Sequence, residues 1–342
     1  MKAAIFEGAG KPLTIRDVAS PDPGPHELVL KVEACGICGS DLHCTEHGPF
    51  ELPAGTVLGH EFSGEVVAVG TEARGRFHEG ERVTALPVII PPVPPAGLED
   101  AELWLRPDMQ PIGLGQVPGA YAEFVRVGVG QTRRLPDAVS FEQGALVEPL
   151  AVGLHAVNRA EMRSGDNVLV LGAGPIGLAS IAFARRMGAN HVVVSEMTEQ
   201  RRQLAESVGA TATLDARGNV LEQFAAATGA LMPDVVIEAV GIPGMIQQAV
   251  EFVKPRGRVV VVGVCQQQDQ LMPMVGIMKE VGLQFVLGYE PRDWDTVISF
   301  IAQDRLKVDH LVTHRVGFDA FPDAFEALRR PVDQCKVMLK PA

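Results

Sequence analysis

Residues 167–177 read NVLVLGAGPIG, and this stretch decides the fold. NVLVL is a continuous apolar run of the kind that a strand buried on both faces needs. Gly172, Gly174 and Gly177 follow as G-x-G-x-x-G, and PIGLASIAFARRMG then continues as a helix. Alone, that glycine spacing is a weak signal. Between a strand and a helix it gains a mechanism: Gly172 permits the tight turn, Gly174 lets backbone approach a pyrophosphate, and Gly177 allows close helix packing. The phosphates would meet a helix N-terminus, whose free N–H groups favour anions. Glu196 ends the next apolar run, HVVVSE, about twenty residues after the last glycine, where a carboxylate accepts hydrogen bonds from ribose hydroxyls and repels a 2′-phosphate. The pattern predicts NAD rather than NADP, with Arg201 and Arg202 as nearby cations able to favour the phosphate. Pro175 and Ile176 in the turn, Val240 after DVVIEA, and Val262, Gly263 and Val264 in GRVVVVGV complete the candidate cofactor-binding set. The plain alternative is a glycine turn in a βα unit beside an ordinary surface glutamate.

Outward from this unit, HVVVSE, DVVIEAVG and GRVVVVGV are each followed by a helix-like stretch, as in a parallel βαβ sheet. Residues 1 to about 148 differ: short apolar alternations such as ELVLKVEA and GEVVAVG, broken by Gly and Pro, read as mostly β. Near the end, WDTVISFIAQDRL and FPDAFEALRR read as helices. Leu86–Gly119 is too Pro-rich for a regular element and is either a functional loop or a linker between β segments. The expected fold class is α/β, with residues 149–289 as a doubly wound parallel-sheet domain. Residues 1–148 and 290–342 are expected to form a second, β-rich domain, with the active site expected in the cleft between the two.

The chain has 342 residues, enough for two cores, and a formal net charge of −12 with no basic stripe, which argues against nucleic acid. No apolar run approaches the eighteen or so residues that cross a bilayer. The start MKAAIFEGAGKPL lacks the apolar core of a secretory signal, so the expected compartment is the cytoplasm. Three of the five cysteines, Cys35, Cys38 and Cys44, lie close together, which suggests metal or thiol chemistry rather than a disulfide framework.

Those thiols sit in CGICGSDLH (35–43), followed by Gly59-His60-Glu61 and, further on, Glu148 in ALVEPLAVGLHA. Thiolate, imidazole and carboxylate are the ligand types of a catalytic zinc site, which keeps one position open. A rival reading takes Cys35, Cys38, His43 or Cys44, and His47 as a compact structural knuckle. That reading explains neither the GHE triplet nor the nucleotide unit.

With CGICGSDLH, GHEFSGEVVAVG, GERV, GAYAEFV, GALVEPLAVGLHA, VLVLGAGPIGL and LVTHRV together, the chain resembles the zinc-containing medium-chain alcohol dehydrogenases over essentially its whole length. The pattern is most similar to sorbitol, threonine and butanediol dehydrogenases, because Glu148 stands where many simple alcohol dehydrogenases carry a cysteine. The resemblance implies a GroES-like catalytic domain, a Rossmann domain, one catalytic zinc and NAD, with hydride passing between a small alcohol or ketone and the nicotinamide. It implies Cys38 and His60 as zinc ligands, Glu61 as a ligand or near-ligand, and Glu148 as a direct or water-bridged one. Ser40 and His43 resemble the proton relay, and Cys35 becomes structural. Relatives of this kind are dimers or tetramers, and GLQFVLGY is the candidate strand for pairing across a two-fold.

Two departures qualify the resemblance. The region after GERV, LPVIIPPVPPAGLEDAELWLRPDM, lacks the four cysteines of a second, structural zinc. In the polyol branch a basic residue precedes the tyrosine near the end of the nucleotide domain, whereas here Gly288 precedes Tyr289. Together with Val88, Ile89, Ile90 and Trp104 in the Pro-rich segment, this predicts an apolar secondary alcohol rather than a sugar alcohol. The alternatives are a polyol or amino-alcohol dehydrogenase, a zinc-free quinone or enoyl reductase, and a non-catalytic nucleotide-binding protein.

Overall fold

The computed structural model describes residues 1–91, 104, 106–115, 117–330 and 334–341. Two compact units are present, Met1–Glu148 with Glu290–Ala342, and Pro149–Tyr289.

The first unit begins with an antiparallel pair, β1 (Lys2–Ile5) and β2 (Thr14–Asp17). It continues through β3 (Glu27–Gly36), the short helix α1 (Gly39–Cys44), β4 (Glu61–Val69), β5 (Arg82–Ala85), β6 (Val88–Ile89), β7 (Gln110–Pro111), β8 (Phe124–Gly128) and β9 (Thr132–Arg134). Helix α2 (Phe141–Arg159) follows and carries Pro149 in its interior.

The second unit alternates strand and helix. Its elements are β10 (Asn167–Leu171), α3 (Pro175–Arg186), β11 (His191–Glu196), α4 (Glu199–Ser207), β12 (Ala212–Asp215), α5 (Val220–Thr228), β13 (Val235–Glu238), α6 (Met245–Phe252), β14 (Arg258–Val261), α7 (Pro273–Lys279) and β15 (Gly282–Phe285). The chain then returns to the first unit with α8 (Pro291–Ala302), β16 (Val312–Val316), α9 (Phe321–Ala327) and β17 (Lys336–Leu339).

In the second unit six strands run in the order β12-β11-β10-β13-β14-β15, and every pair is parallel. Relative to its first strand this is 3-2-1-4-5-6, the Rossmann order, with its switch point between β10 and β13. Valines and leucines fill the central strands because helices cover both faces, so an alternating pattern would bury polar groups.

In the first unit a seven-stranded sheet runs β16-β17-β3-β4-β5-β9, with β8 also on β3. Its central strand β3 is long and largely buried, and Leu28, Leu30 and Val32 join a core with Phe62, Val66, Val125 and Val127. The Pro-rich segment is not wholly irregular: β6 pairs with β7 in a two-strand ladder. Val88 and Ile89 are buried, and Ile89 belongs to the β core. These two side chains are therefore packing residues, and they do not support the expectation of an apolar substrate wall. Residues 92–103 of the segment lie outside the described residues.

Candidate functional site

Three neighbouring strands converge on the metal-ligand candidates. The register of β3 on β4 sets Gly36 opposite Glu61, and β17 sets Met338 opposite Gly36 from the other side. Cys38 lies two residues beyond β3 and begins α1, while His60 immediately precedes β4. Glycine at position 36 lets the Glu61 carboxylate lie against β3, since a Cβ there would sit 2.1 Å from Glu61 Oε2. A donor atom of each of Cys38, His60 and Glu61 lies within 4.8 Å of the others. Glu148, buried on α2, is outside that group.

This donor set fits zinc in kind. Tetrahedral bonds of ordinary length to S, N and O would space the donors about 3.3–3.8 Å apart, so a modest closure suffices. The His60 ring is aimed for it: Nδ1 lies 3.2 Å from Asp41 Oδ1, which leaves Nε2 for a metal. Ser40 Oγ is 3.4 Å from that Nε2. Burial disfavours the charged imidazole, but Asp41 and Cys38 outweigh burial and raise its pKa.

Lys336 sits on the other side of Glu61. Its Nζ donates to both Glu61 oxygens at 2.7 Å and to Ile37 O at 2.9 Å, with Lys336 2% and Glu61 1% exposed. Burial lowers the Lys336 pKa and the Glu61 charge more than reverses it, so the ammonium is retained. Asp41, wholly buried, accepts from Cys38 N (3.0 Å) and from Tyr121 OH (2.5 Å).

The knuckle alternative is not assembled. Cys35 is core, and its thiol faces Gly36 O, while burial pushes the Cys44 thiol up to about 11. Among the described residues the one grouping of three or more possible metal ligands is Cys38, His60 and Glu61. Ser40 and His43 lie three residues apart on α1, both half-buried, so they share one helix side.

The nucleotide candidates gather at the carboxyl ends of β10, β11, β13 and β14. Gly172 has φ 92°, and a Cβ on Gly177 would stand 2.1 Å from Gly172 O, so turn and helix touch as the glycine reading requires. A Cβ on Gly174 would meet nothing within 4 Å, which leaves open space where the α3 N-terminus begins at Pro175 and Ile176. Val240 Cγ2 lies 2.9 Å from a Gly172 Cβ position. Backbone of Val264 and the Gly263 position approach Gly241, just beyond Val262. Glu196 accepts from Ala173 N (3.0 Å) and from Thr198 N (2.9 Å), tying strand end to glycine turn. Arg202 is committed to the carbonyls of Glu196 and Met197, and Arg201 is half-buried. An open cradle at a helix N-terminus beside a carboxylate fits a dinucleotide.

Sequence reading missed Asp41, Tyr121 and Lys336. Asp41 lies inside the quoted CGSD motif and had a signal in its position at the third residue of α1. Lys336 had one too, as the lone charge in the strand KVML.

Comparison with known proteins agrees with both halves. Residues 24–137 match the alcohol dehydrogenase GroES-like domain, and residues 175–303 match the zinc-binding dehydrogenase domain. The chain is 35% identical to sorbitol dehydrogenase of Bos taurus, over 98% of this chain and 95% of that protein. It is 33% identical to (R,R)-butanediol dehydrogenase of Bacillus subtilis, over the full length of both. The crystal structure of the B. subtilis 2R,3R-butanediol dehydrogenase superposes with a TM-score of 0.89, covering 100% of this chain and 99% of that one at 32% identity. A protein described as a zinc-binding dehydrogenase from Sinorhizobium meliloti 1021, bound to NADP, superposes with a TM-score of 0.88 at 33% identity, covering 99% of each chain.

Proposed function

Because the chain belongs to the zinc-containing medium-chain alcohol dehydrogenase family, in the branch of sorbitol and butanediol dehydrogenases, we propose that it oxidises a secondary alcohol to a ketone with NAD, and runs the reverse. The observation that carries the reading is the convergence of Cys38, His60 and Glu61. Bound zinc supplies Lewis acidity that makes an alcohol proton easier to lose, and NAD supplies the hydride acceptor. Cys38 and His60 would hold the metal, Glu61 lies within reach as an exchangeable third ligand, and Glu148 would join directly or through water. Ser40 would accept the alcohol proton while releasing its own, which would pass through a cofactor ribose hydroxyl to His43 and on to solvent. Glu196 selects NAD by occupying with negative charge the place of a 2′-phosphate.

A secondary carbinol is supported by the relatives, since the stereodescriptors of 2R,3R-butanediol mark its carbinol carbons as secondary. The choice between apolar and sugar alcohols rests on Gly288, Trp104 and the half-buried Ile90, now that Val88 and Ile89 are accounted for by the core.

The enzyme is a homodimer or homotetramer in this proposal. Edge strand β15 leaves Phe285 61% exposed and Leu287 beyond it 65%, and α7 leaves Ile277 and Met278 exposed. Light scattering that gave a monomer at micromolar concentration would remove this part. A cytoplasmic location is part of the proposal, supported by five cysteines that are all free thiols. No helix among the described residues is long and apolar enough to cross a membrane.

Elemental analysis and an assay of alcohols with NAD test the whole. One zinc per chain is expected, with activity lost to a chelator before the fold melts. Full activity in rigorously metal-free protein would move the chain to the zinc-free reductases.

A further inference from the structure

We propose that Tyr121 is a positioning residue of the metal centre: its hydroxyl fixes Asp41 so that the second Asp41 oxygen holds the His60 ring with Nε2 presented to the metal. The inference rests on the zinc reading above and assigns a role that the ligand set itself does not contain.

Asp41 is wholly buried, so its carboxylate must find its donors within the protein. Oδ2 receives two, the Tyr121 hydroxyl at 2.5 Å and the Cys38 amide at 3.0 Å. Oδ1 receives no hydrogen bond and lies 3.2 Å from His60 Nδ1, an ion-pair contact in which Nδ1 likewise has no hydrogen-bond partner. The two contacts on Oδ2 fix the rotation of the carboxylate, and with it the direction in which Oδ1 points. Removing the hydroxyl leaves Oδ2 with a single amide and frees that rotation. Burial and the Asp41 charge both raise the phenol pKa, so the hydroxyl remains a donor.

The ring of Tyr121 is itself immobilised. Phe321 and Phe325 of α9 meet it edge-on, with centroids at 4.7 and 6.3 Å. Its backbone N–H donates to Leu58 O at 2.9 Å, two residues before His60. Gly59, with φ 99°, has no room for a Cβ, which would lie 2.5 Å from Tyr121 Cδ1. One residue thus packs on the segment that carries His60 and bonds the helix that carries Asp41. Partners that orient a ligating histidine affect metal affinity about 10–100-fold when removed.

The test uses full-length zinc-loaded protein and follows zinc transfer to a chromogenic chelator, together with the visible spectrum of the cobalt-substituted form. Tyr121→Phe is expected to release zinc about ten-fold faster and to shift the cobalt bands. Asp41→Asn should release zinc faster too, and the double variant no faster than Asp41→Asn alone. Phe321→Leu, which loosens the ring and keeps the hydroxyl, should release zinc near the wild-type rate. Wild-type release from Tyr121→Phe would overturn the proposal. So would losses that multiply in the double variant, or a Phe321→Leu rate equal to that of Tyr121→Phe, since either would reduce Tyr121 to packing. Should Tyr121→Phe fail to fold, Asp41→Asn decides: wild-type zinc release from that variant would overturn the proposal, because Tyr121 acts through Asp41. A wild-type chain that retains no zinc would overturn the metal reading beneath, an outcome distinct from these.

Discussion

The nucleotide turn and the metal centre are built by opposite means. At the turn, Glu196 is tied to Ala173, 23 residues away, and its partners are backbone amides and one hydroxyl. At the metal centre, Lys336 reaches Glu61 across 275 residues, and Tyr121 reaches Asp41 across 80. The turn concentrates no buried ion pair, whereas the metal centre encloses Asp41, His60, Glu61 and Lys336 at 4% exposure or less. A site made of amides from one βαβ unit tolerates change nearby, because each amide is held by the strand or helix it belongs to. A site made of buried charges from several strands does not, because removing one charge strands its partner in a medium that cannot solvate it.

Lys336→Met tests that difference most severely. It leaves the Glu61 carboxylate buried without its cation, and should cost about 3–5 kcal/mol of stability in metal-free protein. Denaturant unfolding measures it, and Glu61→Gln in the same chain should recover much of the loss. A loss below about 1 kcal/mol would show that water or rearrangement solvates Glu61, and the contrast with the turn would weaken.

Glu196→Ala should leave the fold nearly intact and act on the cofactor. Loss of the charge-assisted hydrogen bond proposed to the ribose should lower kcat/KM with NAD about thirty-fold, while use of NADP should rise relative to NAD. Steady-state kinetics with both cofactors decide it. Better use of NADP already in the wild type would mean that Arg201 governs the pocket.

His43→Ala is the mildest change. Alcohol oxidation should slow about ten-fold on the acid side of the pH profile, less than a typical acid–base group supplies because solvent substitutes for the last step of the relay. Zinc content should stay at the wild-type level. A pH–rate profile superimposable on that of the wild type would remove His43 from the relay.

The same contrast explains what could be read from the chain. The Rossmann sheet was legible because apolar runs and glycine spacing report local geometry: NVLVL, HVVVSE, the core of DVVIEAVG and that of GRVVVVGV became β10, β11, β13 and β14. WDTVISFIAQDRL and FPDAFEALRR supplied α8 and α9. Cys38, His60 and Glu61 stood out as residue types, and the fold brings their donor atoms together. Lys336 did not stand out, because a lysine near a C-terminus reads as solvated until β17 is paired with β3. Tyr121 reads as core, which it is, and its hydroxyl gains meaning only once Asp41 lies beneath it. The helical start of α2 within an otherwise β-rich region was hidden by Pro149, which argues against a helix interior when judged locally. The small ladder of β6 and β7 was hidden by prolines in the same way, being a separate two-strand ladder too short to show a period.

The Lys336–Glu61 pair also bears on the order of assembly. Because the chain answers the Glu61 charge with a cation of its own, the sheet that surrounds it can close without waiting for a metal to neutralise that carboxylate. Folding and metal insertion become separable events in the life of the molecule. A newly made chain would then fold first and be loaded afterwards, and a chain that gave up its metal to a competing chelator would keep the walls of the site standing, ready to be reloaded rather than replaced.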